Sequence, residues 1–456
     1  MYDVVVIGGG PGGYAAGIRA AQLGGQVALV ESFEMGGVCV NRGCIPSKIW
    51  LRAVYLNEMI KNAGEFGIKA KVDGFDLSTI VERKNGIAGD IRMGMGGLLA
   101  NNGIEVIEGR GALKSPHEVD VEGKTLEAKK IIIATGSSVA MPEIEGLDKA
   151  AMTTDQVFEM KKVPGSVLVD GAEAMAVEMA ALFNAFGSKV YLVTGSARIL
   201  SKEDGDTSQR VAQVLREKGV EILTRAELQS VKKAKKGFEI SLAGSKDQNI
   251  AVDKVLVSSR KPNTKDLGLD QAGVKLDDGG FIEVNENLQT SAEGIYAIGD
   301  VIGGWMLSHA ATAMGITASE NAMGTPAVFP FNLVPRGIFT IPEVGAVGLS
   351  EEEAEDKGHE VETGDFPLSI NGLAMSYGEL DGAVKIVSDA EYGDILGVHI
   401  VGGRATEMIW GAVLAMQLEC TAEELARSIP VHPTYSESIA MAAQDALGWA
   451  LYLPKS

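Results

Sequence analysis

Residues 3–31 read DVVVIGGGPGGYAAGIRAAQLGGQVALVE, and this stretch decides the fold. Asp3–Ile7 is apolar and β-branched and reads as a strand. The Ala-rich run that ends near Leu23 reads as a helix, and Val27–Glu31 as a second strand. Between the first strand and the helix, Gly8, Gly10 and Gly13 are spaced Gly-x-Gly-x-x-Gly. Glycines there let the backbone reach a pyrophosphate, and the helix N-terminus stabilises its charge. Glu31, ending the second strand, is placed to bind a ribose hydroxyl. Glycine spacing alone is weak evidence; with strand, helix and an acid about 20 residues on, it is a specific dinucleotide signal.

Working outward, a second strand–turn–helix–strand unit follows Pro164. It comprises Ser166–Val169, a turn at Asp170–Gly171, a helix reaching Phe186 and a strand Lys189–Val193, a partial repeat of the first unit. Residues 47–67 read as helical and 104–136 as short strands with turns, while the Lys-rich stretch 232–237 reads as a solvated hairpin or loop. Residues 292–300 read as a short strand ending in Gly299-Asp300. After about residue 330 alternating strands lead into helices at 404–418 and 436–448. Strands alternating with helices imply doubly wound α/β domains, and the last block reads as α+β. At roughly 100–200 residues per domain, 456 residues make about three domains.

The 46% hydrophobic fraction is ample for several cores, and a net charge of −20 argues against nucleic acid and anionic membranes as partners. No uncharged apolar run approaches the roughly 18 residues of a membrane span. The start MYDVVVIGGG is too short in its apolar part, and too Gly-rich, for a signal peptide. A cytoplasmic location is expected. Thiols there are kept reduced, so a close cysteine pair points to redox or metal chemistry rather than to a structural crosslink. Of the three cysteines, Cys420 lies in the apolar, helical-looking GAVLAMQLECTAEELA and reads as a core thiol.

The other two stand in GGVCVNRGCIPSK (36–48). Cys39 and Cys44 are five steps apart, about 7.5 Å on a regular helix, beyond the roughly 4.4–6.8 Å of a disulfide. A disulfide therefore needs a distorted helix start, which Gly43 and Pro46 allow. Two sulfurs without a nearby His or further Cys do not make a metal site, and none is expected. Lys48 is near enough in sequence to stabilise a thiolate. The pair alone leaves redox function and a structural role both open. Near the C-terminus, HPTYSE (432–437) places Glu437 five residues after His432. A carboxylate can fix the tautomer of such a His and make it a base, and dithiol exchange needs a proton acceptor. On its own, a His near a Glu is more often structural.

Taken together, DVVVIGGGPGGYAAGIRAAQLG, GGVCVNRGCIPSK, IIIATGS, RKPNT, IYAIGDV, MLSHAA and HPTYSE, in this order from Tyr2 to about Ala440, resemble the pyridine nucleotide–disulfide oxidoreductase family, and within it the dihydrolipoamide dehydrogenases. The resemblance implies two Rossmann-like dinucleotide-binding domains, of FAD and NAD type, plus a C-terminal α+β dimerisation domain. The FAD-binding domain would take two segments, 1–145 and 262–330, the NAD-type domain 146–261, and the dimerisation domain 331–456. FAD would lie on Gly8, Gly10, Gly13 and Glu31, with Gly111 and Ala112 near its adenine end and Thr135 and Gly136 of IIIATGS beside it. Asp300 would hold the ribityl chain; Met306, Leu307 and His309 would lie along the flavin. Cys44 would be the sulfur next to the flavin and Cys39 the one that exchanges with substrate. Lys48, paired with Glu178, would sit near the flavin nitrogen. His432, oriented by Glu437, would act as base in the other subunit's site, so the working unit would be a homodimer. The partner would be a lipoyl-carrying protein or a small dithiol or disulfide. The His432–Pro433 bond is a candidate for cis.

The second unit departs from the family pattern. Counting back from Glu178, the Gly-x-Gly-x-x-Gly positions hold Gly171, Glu173 and Ala176. The acid expected after the next strand is Thr194, the glycine before Arg260 is Ser259, and the tyrosine that covers the flavin is Ala174. A carboxylate about 4–5 Å from a phosphate would cost roughly 3–4 kcal/mol at an effective dielectric of about 20, unless Glu173 turns to solvent. NAD(H) binding is therefore doubtful, and another electron acceptor is the expected alternative. A smaller departure puts Pro430 and Val431 where these enzymes usually have His-Ala before the base. Two other functions are compatible with the pattern. One is reduction of a different small disulfide, against which stand the missing NADP-binding arginines and a tail, ALGWALYLPKS, without cysteine. The other is a structural or redox-sensing flavoprotein subunit without nicotinamide turnover.

Overall fold

The computed structural model describes residues 1–244 and 247–454. β1 (Tyr2–Ile7), α1 (Pro11–Gln22) and β2 (Val27–Glu31) form in the expected order. β1 lies between β2 and the strand Lys124–Ile133, parallel to both. Val4, Val5 and Val6 have no exposed surface. Burial on both faces of a parallel strand is why this run is continuously apolar rather than alternating. Glu105–Glu108 and Ile295–Ala297 extend the parallel part of a seven-stranded sheet, and Gly111–Ser115 and Glu118–Val121 add an antiparallel pair. The chain thus returns to its first sheet after an excursion of well over a hundred residues.

That excursion holds the second unit. Its five parallel strands run in the order Glu221–Thr224, Lys189–Thr194, Ser166–Asp170, Lys254–Val257, Ala151–Thr153. A three-stranded antiparallel sheet accompanies it, and the Lys-rich stretch spans its first hairpin, Ala226–Lys233 to Phe238–Gly244. Arg260–Pro262 pairs antiparallel with Ser137–Val139 and stitches the two units together.

The C-terminal block is a five-stranded antiparallel sheet, in the order Arg336–Ile338, Glu343–Gly348, Ile395–Gly402, Ala383–Asp389, Val361–Pro367. The helices Ala405–Gln417 and Glu437–Ala446 pack against it. Buried charges clamp it to the second unit. Arg336 lies 2.9 Å from Glu203, and Lys385 lies 3.2 Å from Asp204 and 2.8 Å from the more exposed Asp206, with Glu351 of its own block 2.6 Å away. Charges taken out of water persist only when paired in this way.

Two features differ from the sequence reading. α2 (Gly37–Arg42) and α3 (Cys44–Asn62) are followed by α4 (Leu77–Asn101), a 25-residue helix that the residue pattern does not announce. It carries Gly86, Gly89, Gly94, Gly96 and Gly97, each costing about 1 kcal/mol relative to Ala inside a helix. Length, packing on α3 and an Asp76 cap accepting from the Ser78 and Thr79 amides hold it. Cys420 is not inside a helix. It lies in the turn beyond the Leu418 cap, half-buried against the C-terminal core. Among the described residues no helix is long and apolar enough to cross a membrane.

Candidate active site

The first Gly-rich turn is shaped by close approach. Gly8 has φ +110°, and a Cβ there would lie 2.3 Å from the Ala134 carbonyl oxygen; at Gly13 a Cβ would lie 1.8 Å from the oxygen of Gly8. These two glycines let strand and helix close on each other. Gly10 caps α1 and is different: the nearest atom to a Cβ there is the Gly37 Cα, at 4.0 Å. Packing does not demand glycine at 10, but a phosphate approaching the α1 N-terminus does. The Glu31 carboxylate lies against the turn, accepting from the Gly9 amide at 2.6 Å and the Phe33 amide at 2.8 Å. Donor set, open side and acid all fit a dinucleotide.

The remaining residues expected along that ligand gather on neighbouring elements. Gly111 and Ala112 open the strand Gly111–Ser115, and Gly111 leaves room beside Ile7 and Val30. Thr135 and Gly136 follow the strand Lys124–Ile133. They are tied to Asn263, with Thr135 Oγ1 donating to its carbonyl at 2.9 Å and the Asn263 amide donating to that of Gly136 at 3.0 Å. Asp300 accepts from the Ser137 hydroxyl, with Arg260 Nε 3.9 Å away. Met306, at φ +50°, and Leu307 lead into the helix Ser308–Ala322. His309 Nε2 lies 2.7 Å from the Pro335 carbonyl oxygen.

The cysteines meet because the helix between them is broken. α2 carries Cys39 and stops at Gly43, whose φ −135° and ψ −105° lie outside helical space; α3 starts at Cys44. This is the distortion the spacing demanded. Both thiols are free and half-buried, and Cys44 Sγ lies 3.1 Å from the Ser308 hydroxyl. Their affinities for protons are driven apart. Cys39 beside it lowers the Cys44 thiol against the cost of burial, with Ser308 and Lys48 helping. Cys39 is pushed up by the same contact and by burial. Of the two, Cys44 is the more acidic.

Lys48 Nζ lies 3.3 Å from Glu178 Oε2 and 3.7 Å from the centre of the Phe339 ring. Glu178 is fixed in turn by the Phe339 amide, which donates to its Oε1 at 2.9 Å. Phe339 was not legible as a site residue, nor was Ser308, although it sits inside MLSHAA. His432 Nδ1 lies 2.8 Å from Glu437 Oε2, and the His432–Pro433 peptide is cis. The His432 side chain is 75% exposed and makes no hydrogen bond to either cysteine among the described residues of its own chain.

The second Gly-rich turn is closed by its own substituent. Gly171 has φ +114° and a Cβ there would press on Ser258 Oγ at 2.7 Å. Glu173 is the N-cap of the helix Ala174–Ala185, where backbone and phosphate would meet, and Ser201 Oγ donates to its Oε1 at 2.6 Å. The carboxylate is exposed yet tethered to the mouth of the turn. Ala176 is buried; Ala174 is half-buried and Ser259 exposed. Thr194 is nearly buried and accepts from the Ser196 amide, so it offers no acid to a ribose. As they stand, these residues do not fit an NAD pyrophosphate and ribose.

A fold of two dinucleotide-type units with a paired-thiol centre and an appended antiparallel domain defines a class. The chain belongs to the pyridine nucleotide-disulphide oxidoreductase family: its main profile matches residues 2–315, and the dimerisation domain of the same family matches residues 334–443. Its similarity is to proteins named dihydrolipoyl dehydrogenase. That of Thermus scotoductus is 40% identical over 450 residues, covering 97% of each chain, and that of Bacillus subtilis 38% over 470 residues, covering 99% of each. Among solved structures, LpdA from Mycobacterium tuberculosis is 27% identical with a TM-score of 0.89, covering 97% of this chain and 98% of its own. The HOCl-induced flavoprotein disulfide reductase RclA from Escherichia coli is 26% identical with a TM-score of 0.84, covering 97% and 99%. The chain is a flavin disulfide oxidoreductase of dihydrolipoyl dehydrogenase-like type, in a family that works with FAD and NAD(H).

Proposed function

We propose that the chain oxidises a dithiol of the dihydrolipoamide kind to its disulfide, as a cytoplasmic homodimer that takes its substrate from a lipoyl-carrying protein or as a small free dithiol. The observation that carries this is the pair of free thiols at the break between α2 and α3, with Cys44 on the first turn of α3, 3.1 Å from the Ser308 hydroxyl and one turn before the Lys48–Glu178 pair. Exchange proceeds best when the leaving sulfur is the more acidic one. His432 of the partner subunit, its tautomer set by Glu437, takes a proton from the substrate dithiol. In the oxidised enzyme, where Cys39 and Cys44 form a disulfide, the substrate thiolate bonds to Cys39 Sγ as that disulfide breaks, and Cys44 leaves as thiolate. The second substrate sulfur, deprotonated, attacks the first, releasing the cyclic disulfide and Cys39 as a thiol once it regains a proton. Two electrons now rest on the pair.

FAD would be held by Gly8, Gly10, Gly13, Glu31, Gly111, Ala112, Thr135, Gly136, Asp300, Met306, Leu307 and His309, and would supply a two-electron acceptor for the thiol pair. Lys48, paired with Glu178, would balance the charge that the transfer develops. The final acceptor is NAD+ bound weakly, or another molecule. Glu173, held by Ser201 at the phosphate position, favours the second reading.

The test uses the holoenzyme with dihydrolipoamide and two acceptors, ferricyanide and NAD+. Turnover with ferricyanide is expected, with NAD+ half-saturating only at high concentration. Glu173→Gly combined with Thr194→Glu should lower the NAD+ KM by about 30–150-fold. An exposed carboxylate near a phosphate costs about 1–2 kcal/mol in a well-screened site, and a lost ribose hydrogen bond adds about 1 kcal/mol. Absence of dihydrolipoamide oxidation with either acceptor would remove the function. An unmoved NAD+ KM in the double variant would remove the role given to Glu173.

A further inference from the structure

The Ser308 hydroxyl lies 3.1 Å from Cys44 Sγ. It comes from the first turn of the helix Ser308–Ala322, whose backbone continues with Thr312 Oγ1 donating to the Ser308 carbonyl. We propose that Ser308 is a catalytic residue, the hydrogen-bond donor that holds the Cys44 thiolate while Cys39 is bonded to substrate. The inference rests on the dithiol reading above and deepens it.

The groups that face Cys44 come from four directions. They are Cys39 from α2, Lys48 from its own α3, Glu178 from the helix Ala174–Ala185, and Tyr14 from α1, whose hydroxyl is raised by burial and by both sulfurs. Cys39, while it carries its S–H, favours the Cys44 thiolate. That donor vanishes when it is needed. In the mixed disulfide, Cys39 Sγ is bonded to a substrate sulfur and carries no hydrogen. Cys44 has just taken the electron pair of the broken S–S bond. Lys48 is shared with Glu178, and a half-buried anion without a hydrogen-bond donor is costly. Ser308 does not titrate, is not consumed at any step, and is already in contact. With Cys44 a thiolate, the hydroxyl can only donate. The sulfur also lies at the first residue of α3, where the helix dipole favours negative charge.

The experiment is a pH titration of the reduced holoenzyme with two readouts. One is the long-wavelength absorbance that reports a thiolate against oxidised flavin. The other is the pH dependence of Cys44 alkylation by iodoacetamide, located by peptide mass, which needs no flavin. In Ser308→Ala the midpoint of Cys44 ionisation should rise by about one pH unit, since a hydrogen bond to a charged group accounts for a shift of that order. Ser308→Thr, which keeps the hydroxyl, should leave it in place. In turnover, kcat should fall about tenfold in the alanine variant, with KM for the dithiol little changed. A midpoint unmoved in Ser308→Ala, or moved equally in Ser308→Thr, overturns the proposal. Failure of wild-type enzyme to oxidise dihydrolipoamide would instead sink the dithiol reading, while the alkylation midpoints would still decide the contact.

Discussion

Replacing Cys39 by serine is expected to lower dihydrolipoamide oxidation by about 10³-fold or more, with flavin content and fold unchanged. The reaction has no other route for its electrons: the substrate must form a covalent bond to a sulfur whose partner leaves as thiolate. Removing a covalent nucleophile typically costs several orders of magnitude because the positioned groups around it lose their purpose with it. Cys39 is half-buried on the short α2, in contact with Cys44, and serine matches its volume closely, so stability should be little affected. Cys44→Ser should be equally inactive with dithiol. The measurement is steady-state oxidation with ferricyanide as acceptor, so that the nicotinamide side does not enter. Retention of more than about a tenth of wild-type activity in Cys39→Ser would mean the dithiol is oxidised elsewhere.

The second large effect is at the base. His432→Ala should cost about 10²–10⁴-fold in kcat/KM, the usual weight of a positioned general base. Glu437→Gln should cost less, since it leaves the ring in place and removes only the carboxylate 2.8 Å from Nδ1. The His432 side chain faces out of its own chain, 75% exposed, and the site it serves is read as the partner's. Mixing the Cys39→Ser and His432→Ala chains after dissociation tests this. In a mixed dimer one site joins an intact cysteine pair to an intact histidine, so random reassortment should restore about a quarter of wild-type sites. No recovery in mixed dimers would contradict service of the partner's site by His432.

Much of this was legible in the chain. β1, α1 and β2 could be placed to within a few residues because the strand is continuously apolar and the turn needs glycine for steric reasons, at Gly8 and Gly13 above all. The break at Gly43 could be inferred because five regular helical steps hold two sulfurs too far apart. α4 was illegible because its glycines hide a helix that tertiary packing sustains. The helix that precedes Cys420 ends at Gln417, within one residue of the 418 read from the sequence, and Cys420 packs against the C-terminal core from just beyond it. Ser308 and Phe339 were hidden for another reason. Both act through contacts between elements far apart in sequence, Ser308 with Cys44 and Phe339 with Glu178, and no local pattern encodes such a meeting. The tether from Ser201 to Glu173 is of the same kind.

In the proposed function the dithiol-facing half of the enzyme is complete and the nicotinamide-facing half altered. One anaerobic titration of the oxidised holoenzyme tests both halves. Dihydrolipoamide should reduce the Cys39–Cys44 pair and raise a long-wavelength thiolate–flavin band at about one equivalent. NADH, added to a second sample, should leave the flavin oxidised except at high excess. Absence of the band with dihydrolipoamide, or rapid stoichiometric bleaching of the flavin by NADH, would contradict it.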